Sequence, residues 1–493
     1  MIQPQTVRTK KMYLYEHRRH DMICRIIHKE ILENILSFRF ILSLVLIIVL
    51  FAVGGLVFVG KYKQQSSDYW QKTNENLAGF RQQSRQLYKL AFYKQSVWRR
   101  PKPLALCAEG FEKSLPNYIR FDVFSSDLPE IRGRGNFTLS PFSSIDWAFI
   151  VSVILSFLAL VFTYDSVSGE KEDGTLRQML ANTIPRHEVL LGKYLGVVLT
   201  IGIPLFIGLL VSLIIVVASN AAVISGLDWL KILAIVLVSF LYLSIFILLG
   251  MFVSSRTAYP ANSMVMLLLI WVVIVILIPS FGRIISEVSG KAPNPAELER
   301  KLAEIGTDIW SNAERYGERA GNASGNLSWP GNNPPARARL RNAMTDAQSQ
   351  AREDHHNKML AQAFVGRNLT CFSPTVIYQR ASEAIAGTGI SRCVNLRQQI
   401  KEYQASLKEY ILSKDAEDTL SLHLLFPEGY LVGAWRAISH NPVDFATVPK
   451  FQERDLALGE SLKLAVWDIG LLALFNLVFF TAAFVSFMRY DVR

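Results

Sequence analysis

The sequence predicts a predominantly α-helical polytopic membrane protein, a six-span helical bundle carrying two mainly helical extracytoplasmic insertions. Three observations carry that prediction. Of 493 residues, 51% are hydrophobic and only 19% charged, and the mean hydropathy is +0.24, a poor fit to a soluble enzyme. Six apolar runs, Phe40–Val59, Trp147–Phe162, Tyr194–Ala218, Leu230–Val253, Met264–Ile285 and Leu462–Phe487, each approach or exceed the ~20 residues of a helical span. Two polar segments interrupt the series, and both are too long to be simple connections.

Residues 1–39 form a basic N-terminal segment. Arg8, Lys10, Lys11, Arg18, Arg19, Arg25, Lys29 and Arg39 outnumber Glu16, Asp21, Glu30 and Glu33, which places this end in the cytoplasm. Within it, Asp21–Leu36 sets Met22, Ile23, Ile26, Ile27, Ile31 and Ile35 against Arg25, Lys29, Glu30 and Glu33. That pattern describes a helix lying in the inner membrane interface. The first apolar run starts too late and is too long for a secretory leader, so residues 40–60 are expected to be a permanent first span.

Residues 61–143 make the first extracytoplasmic segment. Lys61–Lys94 prolongs the first span as a projecting helix, Arg99-Arg-Pro-Lys-Pro-Leu104 breaks it, and Phe121-Asp-Val-Phe124 is a short strand before the turn-rich stretch Gly133–Phe142. The second span is assigned to 144–164, and 165–193 return to the cytoplasm. Residues 194–285 hold the third to fifth spans, with Ser254–Pro260 as a short inner link. The second extracytoplasmic domain, 286–461, is expected to contain helices at Pro295–Arg319, Ala336–Phe364 and Ile390–Ser413, around a Gly/Asn/Pro-rich loop at Gly321–Pro335. The last span is 462–487, and the tail 488–493, with Arg489 and Arg493, agrees with a cytoplasmic C-terminus.

Between the second and third runs lies the most informative stretch. Asp173 or Thr175 is suited to cap a helix, Leu176, Met179 and Leu180 share one face, and Pro185 ends it. By charge alone the stretch reads equally as a polar loop. The order Glu170-Lys-Glu172-Asp173-Gly174-Thr175-Leu176, then Leu180, Pro185 and Leu190-Leu-Gly-Lys193, resembles the segment between the second and third spans of ABC type 2 permeases. In that family this segment carries the coupling helix that contacts the ATPase subunit. Asn368-Leu-Thr-Cys-Phe-Ser-Pro374, the Ala-Gly-Thr-Gly within Ala384–Ile390, and the ending Phe487-Met-Arg-Tyr-Asp-Val-Arg493 resemble a subgroup with large extracytoplasmic loops.

The resemblance implies a permease subunit of an ATP-driven exporter in a bacterial inner membrane, multi-pass with both termini cytoplasmic. ATP and Mg would be bound by a partner ATPase, with no cofactor on this chain. A second permease copy or a related permease would complete the transporter, and the outer domain would meet a substrate or a periplasmic partner. The interfacial helix with Ile23, Ile27 and Ile31 would brace the ATPase contact; read without the resemblance, it is equally a membrane anchor with no partner. The alternative to export is ATP-driven mechanotransmission to envelope partners through the outer helices.

Other chemistry finds little support. Gly55–Lys61 has P-loop glycine spacing, but Tyr62 stands where Ser or Thr would hold magnesium, and the run is apolar. The Glu353-Asp-His-His356 cluster lacks the spacing of a metal site, and the basic residues, for all the net charge of +11, form no nucleic-acid motif. Asp165, Glu170, Glu172 and Asp173 read as order in the docking helix rather than catalysis. Lys231 and Asp468 lie near span ends, and Gly192, Gly196, Gly202 and Gly208 allow close helix packing. Cys371 and Cys393 are the pair that would close a local disulfide loop. Cys107 would then be an odd outward thiol, so unpaired buried cysteines are the standing alternative.

Overall fold

The computed structural model describes residues 23–114, 117–127, 145–181, 185–281, 294–317, 334–427 and 437–489. Its helices, in chain order, are α1 (23–35), α2 (Phe38–Gln83), α3 (Leu87–Ala91), α4 (Trp147–Val161), α5 (Ser168–Glu172), α6 (Thr175–Ala181), α7 (Arg186–Ala218), α8 (Gly226–Arg256), α9 (Pro260–Phe281), α10 (Pro295–Ser311), α11 (Pro334–Leu369), α12 (Pro374–Ala386), α13 (Ile390–Asp415) and α14 (Leu458–Met488). Of these, α2, α7, α8, α9 and α14 are long and apolar enough to cross a membrane, and α4 is a shorter apolar helix. They coincide with the six apolar runs.

Helix α2 starts at Ser37, whose hydroxyl accepts the Phe40 amide, and runs for 46 residues. At 1.5 Å per residue that is about 70 Å, roughly twice the hydrocarbon thickness of a bilayer. Its buried positions Phe40, Ser43, Ile47, Phe51 and Gly54 recur every three to four residues and form the face that packs on α7. There Phe51 fills the space over Gly208, where a Cβ would lie 2.5 Å from its ring. The P-loop look-alike Gly55–Lys61 is continuous helix within α2.

Helix α8 opens with a capping box, Ser225 and Asp228 exchanging hydrogen bonds, and 72% of its apolar window is buried against 22–44% in the other long helices. It is therefore the centre of the bundle. Helix α4 is π-helical over Ile150–Leu155, and α9 has a matching π segment at Val272–Leu277.

The two insertions, 61–143 and 286–461, share hydrophobic cores. Phe80, Leu87 and Leu90 at the far end of α2 and in α3 pack with Val123, Leu407, Ile411, Leu425, Ile438 and Val448. The expected long helices are present as α10, α11 and α13. A three-stranded antiparallel sheet of β1 (Gln95–Trp98), β2 (Tyr118–Phe121) and β3 (Ser126–Asp127) pairs Gln95 with Phe121 and Phe121 with Ser126. The strand expected at Phe121–Phe124 instead ends at Phe121, because Asp122 Oδ1 accepts the amides of Phe124 and Ser125 and turns the chain. The Gly133–Phe142 and Gly321–Pro335 stretches lie outside the described residues or nearly so.

A buried ion cluster fastens these segments. Arg392 pairs with Glu112 and, at 2.9 Å, with Glu453, and donates to the Arg100 carbonyl at 2.6 Å. Burial lowers the Arg392 pKa but the two carboxylates outweigh it, so the net shift is upward. Burial and the Arg392 charge bring neighbouring Lys102 down to about 8.

All four cysteines are free, which corrects the preferred Cys371–Cys393 disulfide. Cys393 lies on α13 and packs with Phe111, Leu360 and Ile390, whereas Cys371 lies in the turn between α11 and α12. Glu353 is engaged by Lys401 and Arg397, and His356 is buried. Among the described residues no three His, Cys, Asp or Glu side chains gather to hold a metal.

Candidate coupling surface

The segment after α4 is two short helices rather than the single one expected. Helix α5 closes at Asp173, and Gly174 at φ +72° takes the left-handed conformation that glycine adopts without strain. Thr175 then opens α6, its hydroxyl donating to the Glu170 carbonyl at 3.4 Å. Asp173 therefore ends a helix instead of starting one. Leu176 is buried in the bundle's main core, while Glu172, Asp173, Thr175, Arg177 and Gln178 are exposed. The side chains of Met179 and Leu180 lie outside the described residues. Pro185, in extended conformation, precedes α7.

Four sets of contacts bind this segment to the bundle. Asp165 pairs with Arg39 of α2 at 2.7 Å, and the Arg39 guanidinium lies 5.1 Å from the Tyr164 ring centroid. The amides of Val167 and Ser168 both donate to Ser254 Oγ of α8 at 3.0 Å. Lys171 Nζ donates to the carbonyls of Ser255 at 2.5 Å and Thr257 at 3.1 Å, capping the C-terminus of α8 with a cation where the helix dipole favours one. Burial lowers the Lys171 pKa. Arg186 does the same for α14, donating to the Met488 carbonyl at 2.9 Å.

The fourth set is a charge triad. Lys193 Nζ of α7 donates to Glu30 Oε1 of α1 at 2.6 Å and to Glu170 Oε1 of α5 at 2.8 Å, and the lysine side chain is only 2% exposed. Burying an ammonium is costly unless its hydrogen bonds are filled by counter-charges. Here one buried cation joins three elements from distant parts of the sequence. Glu170 thus faces inward and corrects the expectation that it meets a partner; Glu172 and Asp173 are the carboxylates left on the surface.

Helix α1 crosses α7 at its glycines. A Cβ at Gly192 would lie 2.6 Å from Ile26 Cγ2, and one at Gly196 would lie 2.7 Å from Glu30 Cβ. Two glycines four apart admit the second helix at close range. Ile23, Ile27 and Ile31 are half-buried, but the closest contacts belong to Ile26, a member of the same apolar stripe, and to Glu30, which stood on the opposing charged side of the pattern. Lys193, Arg39 and Lys171 were also missed as site residues; Lys193 stood in the quoted motif without a role.

Asp468 on α14 meets Arg380 of α12 at 3.2 Å.

Comparison with known proteins agrees with this architecture. The family model for ABC-2 family transporter protein matches residues 24–492. The chain is also similar to the probable ABC transporter permease protein NosY of Stutzerimonas stutzeri, 33% identical over 76 residues, 15% of this chain and 28% of that protein. The NosY protein of Pseudomonas aeruginosa matches with the same identity and coverage. The chain thus spans 28% of the length of the curated relatives it matches. A family match over nearly the whole chain, on a protein built from apolar spanning helices, shows that it belongs to the ABC-2 transporter family as a membrane-spanning permease.

Proposed function

We propose that this permease couples ATP hydrolysis by a separate ATPase subunit to export of a substrate, with the ATPase docking on the 165–181 surface. The observation that carries the reading is the fastening of that segment: its outer residues Glu172, Asp173 and Thr175 are exposed, while its inner residues tie to α1, α2, α7 and α8. A push on the outer face therefore reaches four helices at once. Exposed carboxylates at Glu172 and Asp173 suit a basic partner surface. In this reading the segment and both termini are cytoplasmic, the membrane is the bacterial inner membrane, and ATP and Mg belong to the partner. A second permease, identical or related, completes the pathway.

A second reading, mechanotransmission to an envelope partner, is favoured by α2. It runs unbroken from the bundle into the core around Phe80 and Leu87, so tilting its membrane half would move the outer domain. The test for both is purification from the native membrane with identification of companions by mass spectrometry, then an ATPase assay on the complex. A nucleotide-binding subunit with ATPase activity is expected. Recovery of the chain without any ATPase would end both readings.

A further inference from the structure

Helix α12 lies in sequence within the 286–461 insertion, yet it is packed into the bundle. Ile377, Tyr378, Ala381 and Ile385 are fully buried, and the helix lies against α8 and α14. Its first turn reaches Tyr242, near the midpoint of α8. There Thr375 Oγ1 and Tyr242 OH are 3.0 Å apart, the Tyr378 and Tyr242 rings stack at 4.6 Å, and Tyr378 OH lies 2.8 Å from Ser239 Oγ. Its other end emerges at the domain side, where Thr388 donates to the Ala108 carbonyl at 2.6 Å and Arg367 pairs with Glu383 at 2.7 Å.

Both π segments meet this helix. A π turn leaves a carbonyl without its usual partner and marks places where a helix can change register. In α4, the Ser152 carbonyl accepts Tyr242 OH at 2.8 Å. In α9, the Ile274 carbonyl accepts Ser373 Oγ, the residue before α12, at 2.7 Å. Trp271 Nε1 then donates to Ser156 Oγ at 2.9 Å and joins the two spans directly. Returning a π turn to α geometry would shift the rest of its helix by about 1.5 Å and rotate it by about 100°.

We propose that α12 is the moving link between the bundle and the outer domain, with the two π segments as the places where α4 and α9 change register and the Arg380–Asp468 pair as the latch to α14. This rests on the ATP-driven reading above. Arg380 is positioned for the role, since its guanidinium also donates to Asn368 Oδ1 at 3.0 Å, so the latch ties α14 to the C-terminal turn of α11 as well.

Hydrogen–deuterium exchange on the complex purified with its ATPase tests this, comparing the nucleotide-free state with ATP plus vanadate. We expect peptides covering 374–386 and 150–155 to exchange about tenfold faster with nucleotide, as local opening would allow. Arg380→Gln and Asp468→Asn should each raise exchange in 374–386 without nucleotide and leave 390–415 unchanged. If 165–181 responds to nucleotide and 374–386 does not, the link is overturned while the coupling reading stands. If neither responds, both are overturned. If the two substitutions loosen 390–415 as much as 374–386, the pair is general scaffolding and the latch is overturned.

Discussion

Lys193→Met removes the single cation shared by Glu30 and Glu170 and leaves two carboxylates facing each other across the α1–α5–α7 junction. Glu30 is 7% exposed and the Glu170 side chain 15%, so neither is readily rehydrated without movement. Removing one partner of a buried ion pair costs about 3–5 kcal/mol, and two stranded carboxylates put this site toward the upper end. Glu170→Gln, which keeps the shape and leaves the Lys193–Glu30 pair at 2.6 Å, should cost about 1–2 kcal/mol. The assay is thermal unfolding of the purified protein in detergent, with limited proteolysis reporting release of 165–181. A double-mutant cycle with Glu30→Gln separates the two arms. The expected order is Lys193→Met far worse than Glu170→Gln, with Lys193→Met partly rescued in the triple variant that neutralises both glutamates. Equal effects below about 0.5 kcal/mol would refute the buried triad as the fastening.

Three further predictions follow from single sites. Gly250→Ala should destabilise the bundle by about 1–3 kcal/mol by overpacking, because its Cβ would fall 1.9 Å from Thr163 Oγ1, which is buried and held on the Ala159 carbonyl; chemical denaturation would read the loss. His356 is pushed down to about 4 by burial and then by Arg397 and His355, so it stays neutral in the fold while the unfolded chain protonates from about pH 6.5 downward. Its contribution is complete above that pH and is lost progressively toward pH 4, up to about 3 kcal/mol, so His356→Gln should flatten that part of the stability–pH curve. Arg392→Met leaves Glu112 with Arg99 at 3.8 Å and Glu453 with Lys102 at 3.6 Å as their remaining cations, and should cost about 1.5–3 kcal/mol, seen as early proteolysis of the 286–461 insertion with the bundle intact.

The spans were legible because length and apolar composition need no tertiary information: Leu230–Val253 and Leu462–Phe487 fall within α8 and α14. The helical parts of the 286–461 insertion followed from periodicity and from Pro and Asn at their starts, as at Asn294-Pro295. What sequence could not convey was pairing over distance. Arg380 and Glu383 make α12 look like a surface helix, and only Asp468, Arg367 and the ring of Tyr242 explain why it is buried. Glu170 looks identical to Glu172 in a string of charges, yet a 2.8 Å contact to Lys193 separates their roles. The π segments offer the Ser152 and Ile274 carbonyls to Tyr242 and Ser373, residues distant in sequence. Gly174 was quoted in the motif, but its left-handed turn, which makes two helices of one, becomes evident only with the backbone.

In the proposed function, 165–181 presents a docking face to an ATPase. A photo-crosslinking amino acid at Asp173, activated in native membranes, addresses it directly, with Glu172→Arg in the same chain as the disrupting control. The expected result is a crosslink to a nucleotide-binding subunit that is strongly reduced by Glu172→Arg. Crosslinks at Asp173 to extracytoplasmic proteins or to lipid alone would contradict it.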